Sequence, residues 1–243
     1  MIEKVIQVKN LSYTYPDGTR ALQNVSFDVY KGESVGIVGG NGAGKSTLLL
    51  HLNGIFPDLK GKKDNNNECI RICGLNMEKG NLKRIRELVG IVFQNPEDQL
   101  FSSTLYDDVA FGPRNMGLNN SDVVTVVNEA LSKFNLRAHA DKNPFHLSFG
   151  EKKIAAIATV YSMNPEIYCL DEPTSNLDPA GRRELIEVLK SIEKTKIIVT
   201  HDLDFARKIC NRVIVLHNGK IEANGEVDKI FSDINLLKKC RLI

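Results

Sequence analysis

The chain has 243 residues, 42% of them hydrophobic, which is enough for one large domain or a core with a subdomain. Its formal net charge of +2 at pH 7 indicates no strong preference for nucleic acid or for an anionic membrane surface, so no nucleic-acid partner is expected. No uninterrupted apolar run approaches the ~18 to 20 residues that span a bilayer, and the N-terminus lacks a signal-peptide core. The sequence alone predicts a soluble protein whose membrane role would come from a partner.

The first thirty residues have the pattern of an antiparallel sheet. Alternating Val25, Phe27 and Val29 predict a half-exposed strand, as does the run 6–8. Pro16, Asp17 and Gly18 predict a turn between extended segments.

A phosphate-binding pattern follows the buried run Ser34–Val38. The residues Gly39, Gly40, Asn41, Gly42, Ala43, Gly44, Lys45 and Ser46 match G-x-x-x-x-G-K-[ST]. Strand, glycine loop and helix together let backbone N–H groups and a helix N-terminus face phosphate oxygens, which predicts a bound nucleoside triphosphate. Lys45 is placed to reach the β- and γ-phosphates, Ser46 to offer a hydroxyl to Mg²⁺, and Thr47 belongs to the same nucleotide-binding set.

The middle of the chain predicts helices and one exposed loop. Leu48, Leu49 and Leu52 form a helical stripe, the polar segment 60–68 predicts a hairpin tip, and apolar spacing between Leu105 and Phe134 is that of an amphipathic helix. Five cysteines in an odd number fit a reducing cytosol: Cys69, Cys73, Cys169, Cys210 and Cys240. A metal site formed by Cys69, Cys73 and His51 is a weak alternative to a surface hairpin, because no second ligand pair accompanies them.

Apolar strands predicted at 167–170, 197–199 and 213–216 alternate with helices, which is typical of a parallel α/β sheet. Asp171 and Glu172 follow the first of these strands, at the end where such sheets bind ligands. Asp171 is suited to holding Mg²⁺, and Glu172 to polarising the water that attacks the γ-phosphate. Asn218-Gly219 predicts a closing hairpin.

Several ordered motifs together resemble the ATP-hydrolysing subunit of an ABC transporter. Besides the phosphate loop and the carboxylate pair, the chain has Gln94 after a strand, LSFGE at 147–151, SNLD at 175–178 and His201 after another strand. The resemblance covers essentially the whole chain. It implies an α/β fold, with a P-loop NTPase core, an N-terminal antiparallel β subdomain and an inserted helical subdomain.

The resemblance also implies roles for single residues. Gln94 matches the family's Mg²⁺ and water sensor, His201 the residue that contacts the γ-phosphate, and Tyr15 the aromatic that stacks on adenine, with Tyr13 as an alternative. Catalysis is thus expected from Glu172, His201 and Gln94, and the Mg²⁺ contacts from Ser46, Gln94 and Asp171.

Three further residues are expected to contact ATP held by a second subunit: Ser148, Gly150 and Asp178. Ser148 and Glu151 also have the spacing of a helix capping box, and Asp178-Pro179 that of an N-cap with proline at the first helical position. The family pattern is LSGGQ, so Phe149 replaces its first glycine and Glu151 its glutamine.

The stretches 92–101 and 107–113 are similar to the ATPases of cobalt, nickel and vitamin importers of the energy-coupling-factor class. This resemblance implies a transmembrane scaffold, a substrate-binding membrane component, a second ATPase subunit that is a copy or a paralogue, and a peripheral place on the cytoplasmic side of the cell membrane. We expect one domain over 1–243, divided into a core with β subdomain (1–94 and 164–225), a helical subdomain (95–163) and a tail (226–243).

Two alternatives stay open from the sequence. A soluble ABC ATPase without a transport role would need a coiled-coil insertion or tandem ATPase cores, and the chain has neither. A weakly hydrolysing regulatory subunit is opposed by the intact Lys45, Asp171, Glu172 and His201, but Phe149 keeps it open for the paired site.

Overall fold

The computed structural model describes residues 3–56 and 69–243, so the predicted hairpin tip at 60–68 lies outside the described residues. The described strands are β1 (Lys4–Thr14), β2 (Arg20–Tyr30), β3 (Ser34–Val38), β4 (Ile70–Ile72), β5 (Leu75–Asn76), β6 (Val89–Val92), β7 (Ile167–Asp171), β8 (Thr195–Thr200), β9 (Arg212–His217) and β10 (Lys220–Glu226). The described helices are α1 (Lys45–Leu52), α2 (Leu82–Leu88), α3 (Leu105–Asn115), α4 (Asn120–Lys133), α5 (Phe149–Tyr161), α6 (Pro179–Lys190), α7 (Leu203–Ile209), α8 (Val227–Phe231) and α9 (Ile234–Lys239).

The smaller sheet has the strand order β2-β1-β4-β5, with antiparallel neighbours throughout. Val25, Phe27 and Val29 are buried on one face of β2, whereas Ser26 between them is exposed. This alternation buries one face of the strand and leaves the other polar, as a period of two requires. The predicted antiparallel sheet at the N-terminus is confirmed.

The larger sheet has the strand order β10-β9-β3-β8-β7-β6. Strands β9, β3, β8, β7 and β6 are parallel, and β10 joins the edge in the antiparallel direction. The hairpin between β9 and β10 turns at Asn218 and Gly219, which have φ of 48° and 75°. Both positive angles match the predicted two-residue hairpin turn.

The parallel arrangement determines where the polar loops meet. Strands β3, β6, β7 and β8 all end at the same edge of the sheet, because parallel strands share a direction. The loop 39–46 follows β3, Gln94 follows β6, Glu172 follows β7 and His201 follows β8. One edge therefore gathers the predicted site from four separate segments.

Two hydrophobic clusters cover the two faces of the larger sheet. Alternate residues of β9 point to opposite clusters: Val213 and Val215 pack with the helical side, and Ile214 and Leu216 pack with α1 and the smaller sheet. Burial on both faces explains why the parallel strands are continuous apolar runs in the sequence.

The helical segment differs in one respect from the sequence pattern. The period predicted a helix between Leu105 and Phe134, but the structure divides this region into α3 and α4. Gly117 has φ of 87° after α3, and the Asn119 side chain accepts a hydrogen bond from Asp122 N at 3.0 Å to begin α4. The left-handed glycine ends α3 and the new N-cap begins α4.

The chain ends with α8 and α9, where the sequence predicted a short C-terminal helix. Lys239 on α9 pairs with Glu222 on β10 at 2.5 Å, which holds the last helix against the hairpin. Among the described residues, no helix combines the length and the apolar character needed to cross a bilayer. The α/β class, with an added antiparallel sheet and a helical part, is as predicted.

Candidate nucleotide site

The loop after β3 closes tightly because its glycines adopt angles that other residues avoid. Gly42 and Gly44 have φ of 74° and 99°, and a Cβ at Gly44 would overlap the Ala21 carbonyl oxygen. Helix α1 begins at Lys45, directly after Gly44. The free N–H groups of this helix N-terminus make the loop suitable for binding phosphate.

Lys45 is 7% exposed and lies across this loop. Its Nζ donates hydrogen bonds to the carbonyl oxygens of Gly39 at 2.9 Å and Gly40 at 3.1 Å. Burial lowers the pKa of Lys45, and the negative charges of Glu172 and Asp171 oppose that shift. The ammonium is thus held next to the phosphate-binding loop and two carboxylates.

Ser46 and Asp171 bring two oxygen ligands together. Ser46 Oγ donates to Asp171 Oδ1 at 3.2 Å, and Gln94 lines the cavity beside them. Burial raises the pKa of Asp171, and the hydrogen bond from Ser46 partly offsets the shift. A hydroxyl, a carboxylate and an amide oxygen are the hard donors that Mg²⁺ prefers, so these residues fit the metal.

Glu172 and His201 form a close pair at the ends of β7 and β8. Glu172 Oε1 lies 2.9 Å from His201 Nδ1, and His201 N donates to Glu172 Oε2 at 3.4 Å. The Glu172 side chain is 10% exposed, whereas that of His201 is 65% exposed. Glu172 has φ of 42°, a left-handed angle that is rare for a residue with a side chain.

A cavity of about 500 Å³ brings most of the predicted nucleotide-binding and catalytic residues together. The exceptions are Gly39, Gly40 and Asp171, which are outside the lining and hydrogen-bond to Lys45 or Ser46. Its lining includes Tyr15, Asn41, Gly42, Ala43, Gly44, Lys45, Ser46, Thr47, Gln94, Glu172 and His201. Tyr15 lines this cavity and its hydroxyl lies 2.8 Å from Thr47 Oγ1. Tyr13 is absent from the lining and packs on His51 and Phe56. The geometry therefore favours Tyr15 over Tyr13 as the candidate for stacking on adenine.

The cavity wall also includes residues that the sequence analysis did not select. Thr19, Arg20 and Ala21 line it next to Tyr15. The Asp17 side chain accepts a hydrogen bond from Thr19 N at 2.8 Å and so shapes the turn that places them. The predicted turn at 16–18 was the available signal, since it returns the chain to the neighbourhood of Tyr15.

Ser148, Gly150 and Asp178 do not line this cavity. Ser148 caps α5: its N and Oγ donate to Glu151 Oε2, each at 2.7 Å, and its Oγ accepts from Glu151 N at 3.3 Å. Asp178 caps α6 by accepting from Gly181 N at 2.7 Å. Both predicted caps are confirmed, and these three residues form a separate group at two helix N-termini.

Lys153 on α5 is another residue to which the sequence analysis gave no role, and it is 1% exposed. Burial lowers its pKa to about 8, and Glu172 and Asp171 oppose that shift. The signal in the sequence was a charged residue one helical turn before Ile157, on the face where the helix is apolar.

The alternative metal site at Cys69, Cys73 and His51 finds no support within 3–56 and 69–243. No group of three or more metal-ligating side chains occurs there. Cys73 lies at the turn between β4 and β5, and Cys69 directly precedes β4. His51 is fully buried, with Nδ1 2.7 Å from Thr47 O.

Comparison with known proteins identifies the class. Residues 22–175 match the family model for ABC transporters. The chain is 42% identical over 241 residues to the energy-coupling factor transporter ATP-binding protein EcfA of Methanocaldococcus jannaschii, a match that covers 98% of this chain and 85% of that protein. The chain therefore belongs to the ABC transporter family, as an ATP-hydrolysing subunit.

Two solved structures agree with this assignment. CbiO1 of Clostridium perfringens, described as part of the ABC transporter complex CbiONQ, is 36% identical with a TM-score of 0.83, covering 99% of this chain and 95% of that one. A dimeric ATP-binding cassette in a post-hydrolysis state, bound to ADP and phosphate, is 28% identical with a TM-score of 0.78, covering 91% and 98% of the two chains. The resemblance to energy-coupling-factor ATPases is confirmed.

Proposed function

We propose that this chain powers a membrane importer of the energy-coupling-factor type, which takes up cobalt, nickel or a vitamin. The observation that carries the proposal is the gathering of Lys45, Ser46, Gln94, Glu172 and His201 around one cavity. The importer class is supported by the similarity to EcfA, an energy-coupling factor transporter protein, and to CbiO1 of its transporter complex.

ATP binds with its phosphates in the loop formed by Gly39, Gly40, Asn41, Gly42, Ala43, Gly44, Lys45, Ser46 and Thr47. Loop N–H groups and the start of α1 hold the phosphate oxygens, and Lys45 supplies the positive charge. Tyr15 stacks on the adenine ring from the cavity wall. Ser46, Gln94 and Asp171 would hold Mg²⁺, which when bound neutralises charge on the β- and γ-phosphates.

Glu172 is placed to act as the general base. A water molecule attacks the γ-phosphorus, its proton passes to the Glu172 carboxylate, and ADP leaves as the bond to the γ-phosphate breaks. His201, 2.9 Å from that carboxylate, orients the γ-phosphate and the water. Gln94, in the loop after the neighbouring strand β6, positions the water.

Each active site is completed by a second ATPase chain. Ser148, Gly150 and Asp178 lie outside the cavity of their own chain, so they are available to a nucleotide on a partner. The capped N-terminus of α5 would face the partner's γ-phosphate. Two ATPase chains, identical or paralogous, would thus close head to tail over two ATP molecules; the dimeric structural relative supports this arrangement.

An exposed aromatic surface is suited to the membrane scaffold. Phe101 and Phe111 are 61% and 51% exposed, and their rings lie 5.0 Å apart at the edge of a cavity of about 410 Å³. Large exposed apolar groups of this kind mark interaction sites. Docking there places the chain peripherally on the cytoplasmic face of the membrane, beside a scaffold and a membrane-embedded substrate-binding protein.

The test uses the tagged Glu172→Gln chain, trapped with ATP in its native host. We expect this variant to bind ATP, to lose nearly all turnover because the base is gone, and to remain in the closed dimer. Mass spectrometry of material purified from detergent-solubilised membranes should identify an integral scaffold together with a small membrane-embedded binding protein. Recovery of only soluble proteins would instead favour an ABC ATPase without a transport role, and undiminished turnover would exclude Glu172 as the base.

Two surface variants control this experiment. Phe101→Ala in the trapped chain should reduce recovery of the scaffold, because it removes half of the aromatic pair. Ile234→Ala is the matched control, since Ile234 is 58% exposed but lies on α9. Equal loss of scaffold from both variants would count against the aromatic surface as the docking site.

A further inference from the structure

Lys153 connects two loops of the nucleotide site, the one after β6 and the one after β7, to helix α5. Its Nζ donates hydrogen bonds to Gln94 O at 2.7 Å, to Ser175 Oγ at 3.1 Å and to Glu172 O at 3.3 Å. An ammonium group has three N–H donors, so these three acceptors satisfy it. The side chain is 1% exposed, and the Phe149 ring lies 5.5 Å from Nζ.

The three acceptors belong to segments with separate tasks in the proposed function. Gln94 and Glu172 line the nucleotide cavity, and Ser175 begins the segment that ends at Asp178. Lys153 itself lies on the second turn of α5, whose N-terminus carries Ser148. One side chain therefore bridges the chain's own cavity and the surface that it would offer to a partner.

Burying an ammonium is costly unless its partners are well placed, so packing alone does not account for a lysine here. An apolar residue of similar length would fill the same space without this cost. The acceptors also include the carbonyl of Glu172, whose left-handed backbone must be held by its surroundings. Glu172 N donates to Val199 O at 2.9 Å, and Ser175 N donates to Glu172 O at 3.1 Å.

A second connection runs between the same helix and the Gln94 segment. Gln99 accepts from Phe93 N at 3.2 Å and donates to Ala156 O at 2.9 Å and Thr159 Oγ1 at 2.7 Å. Gln99 ties the segment to α5 without touching Glu172 or Ser175. Of these two side chains, Lys153 is the one that also connects the loop of Glu172 and Ser175 to α5.

We propose that Lys153 is a positioning residue, which holds the Glu172 and Gln94 backbones and the Ser175 loop in register with α5. The base of one chain is then aligned with the helix that the same chain presents to its partner. This inference rests on the proposed function, because it assigns Glu172 as the base. Lys153 contacts the main chain, so its effect on the water and the γ-phosphate acts through Glu172 and Gln94.

The test compares Lys153→Met with Lys153→Gln and a matched control. Methionine keeps the length but removes all three donors, whereas glutamine keeps two donors. Lys196→Met is the control, because Lys196 is 7% exposed and donates to Ile192 O at 2.6 Å and Lys194 O at 3.2 Å, remote from the cavity lining. Steady-state ATPase kinetics, affinity for a non-hydrolysable ATP analogue and amide hydrogen exchange are measured for each variant.

For Lys153→Met we expect kcat to fall roughly 10- to 100-fold with analogue affinity within about twofold of wild type, since a small displacement of the base suffices for such a loss. Exchange should rise in peptides covering 92–95 and 172–177 but not in the loop 39–46. Lys153→Gln should recover part of kcat, and Lys196→Met should match wild type.

Unchanged exchange in both peptides, or unchanged kcat in a folded Lys153→Met chain, would overturn the positioning role. Loss of analogue affinity without loss of kcat would also overturn it. These outcomes differ from a failure of the proposed function, in which the wild-type chain and Lys196→Met would themselves hydrolyse no ATP. The exchange measurement still decides the role of Lys153 in that case.

Discussion

Asp171 and Glu172 are neighbours in the chain but occupy different surroundings. Asp171 ends β7 and accepts a hydrogen bond from Ser46, whereas Glu172 turns into a left-handed conformation and pairs with His201. Strained or desolvated residues are common in active sites, although they lower the stability of the folded protein. The two carboxylates are suited to different tasks because of where the backbone points them.

The raised pKa of Asp171 leads to a prediction about stability. Because burial favours the protonated form in the folded chain, ionised Asp171 opposes folding. This destabilisation is fully present above the pKa of Asp171 in the folded chain. It is lost as the pH falls from that pKa to the lower pKa of the unfolded chain. We expect Asp171→Asn to raise the free energy of unfolding of the nucleotide-free chain at about pH 7.5, with an advantage that shrinks as the pH is lowered.

Urea denaturation of both chains at several pH values measures this difference. Asparagine retains an oxygen that can accept from Ser46, so the comparison isolates the charge. The exposed Asp141→Asn serves as the control and should show no such trend. A destabilised Asp171→Asn chain at neutral pH, or a gain independent of pH, would contradict the account; its ATPase activity should be lost in either case.

Helix α5 is the element that relates the two halves of the proposed dimeric site. Its N-terminus carries the Ser148 and Glu151 capping box, and its second turn carries Lys153. The hydrogen bonds from Ser148 lower the pKa of Glu151, because they stabilise its ionised form. In the proposed dimeric site, Ser148 would both cap α5 and contact the partner's nucleotide.

Two substitutions at Ser148 separate these contributions. Ser148→Ala removes the cap and should cost about 1 kcal/mol of stability. Ser148→Asn retains an N-cap side chain and should restore most of that stability, but it replaces the small hydroxyl that would face the partner's phosphate. We expect both variants to lose ATP turnover, on the scale of roughly 100-fold that follows loss of one such donor.

Thermal unfolding and steady-state turnover of the same preparations provide the two readouts. Full recovery of turnover in Ser148→Asn would mean that helix capping alone accounts for Ser148. In that outcome the proposed contact with the partner's nucleotide would be wrong.

Much of the local structure could be predicted from the sequence because short-range chemistry determines it. The glycine loop with its flanking strand and helix, the caps at Ser148 and Asp178, and the hairpin at Asn218 each depend on a few adjacent residues. The meeting of the loops at one sheet edge could also be predicted, because the carboxyl ends of parallel strands lie at the same edge.

Other features depend on contacts between distant residues. The order β9-β3-β8-β7-β6 results from packing of whole strands and is invisible in local patterns. The contacts of Lys153 join residues up to 59 positions apart, so no spacing rule indicates them. The division at Gly117 was missed although local signals were present, because Gly117 is typical of a helix end and Asn119 of a new N-cap. The roles assigned to the site residues stay predictions.

In the whole molecule, the residues predicted to contact ATP lie in two separate groups. One group surrounds the cavity at the sheet edge, and the other lies at the N-termini of α5 and α6. Gly150 at the start of α5 lies near the Leu177 side chain, which directly precedes the N-cap of α6. Under the proposed function, this separation requires a second chain to complete each site, as a two-fold pair allows.

Mixing two variants with little activity of their own distinguishes a site shared between chains from one complete within a chain. Lys45→Ala disables the phosphate loop, and Ser148→Asn disables the surface offered to the partner. If sites form between chains, a mixed dimer contains one doubly defective site and one intact site. Random pairing at equal amounts should then restore about one quarter of wild-type turnover, although each variant alone is inactive.

The measurement is the steady-state ATP turnover of the mixture against the wild-type chain and each variant alone. If the site is shared between two chains, we expect ATP turnover to recover on mixing, in proportion to the fraction of mixed dimers. If the wild-type chain is active but the mixture shows no more turnover than the sum of its two variants, each chain holds a complete site and the shared-site account is contradicted.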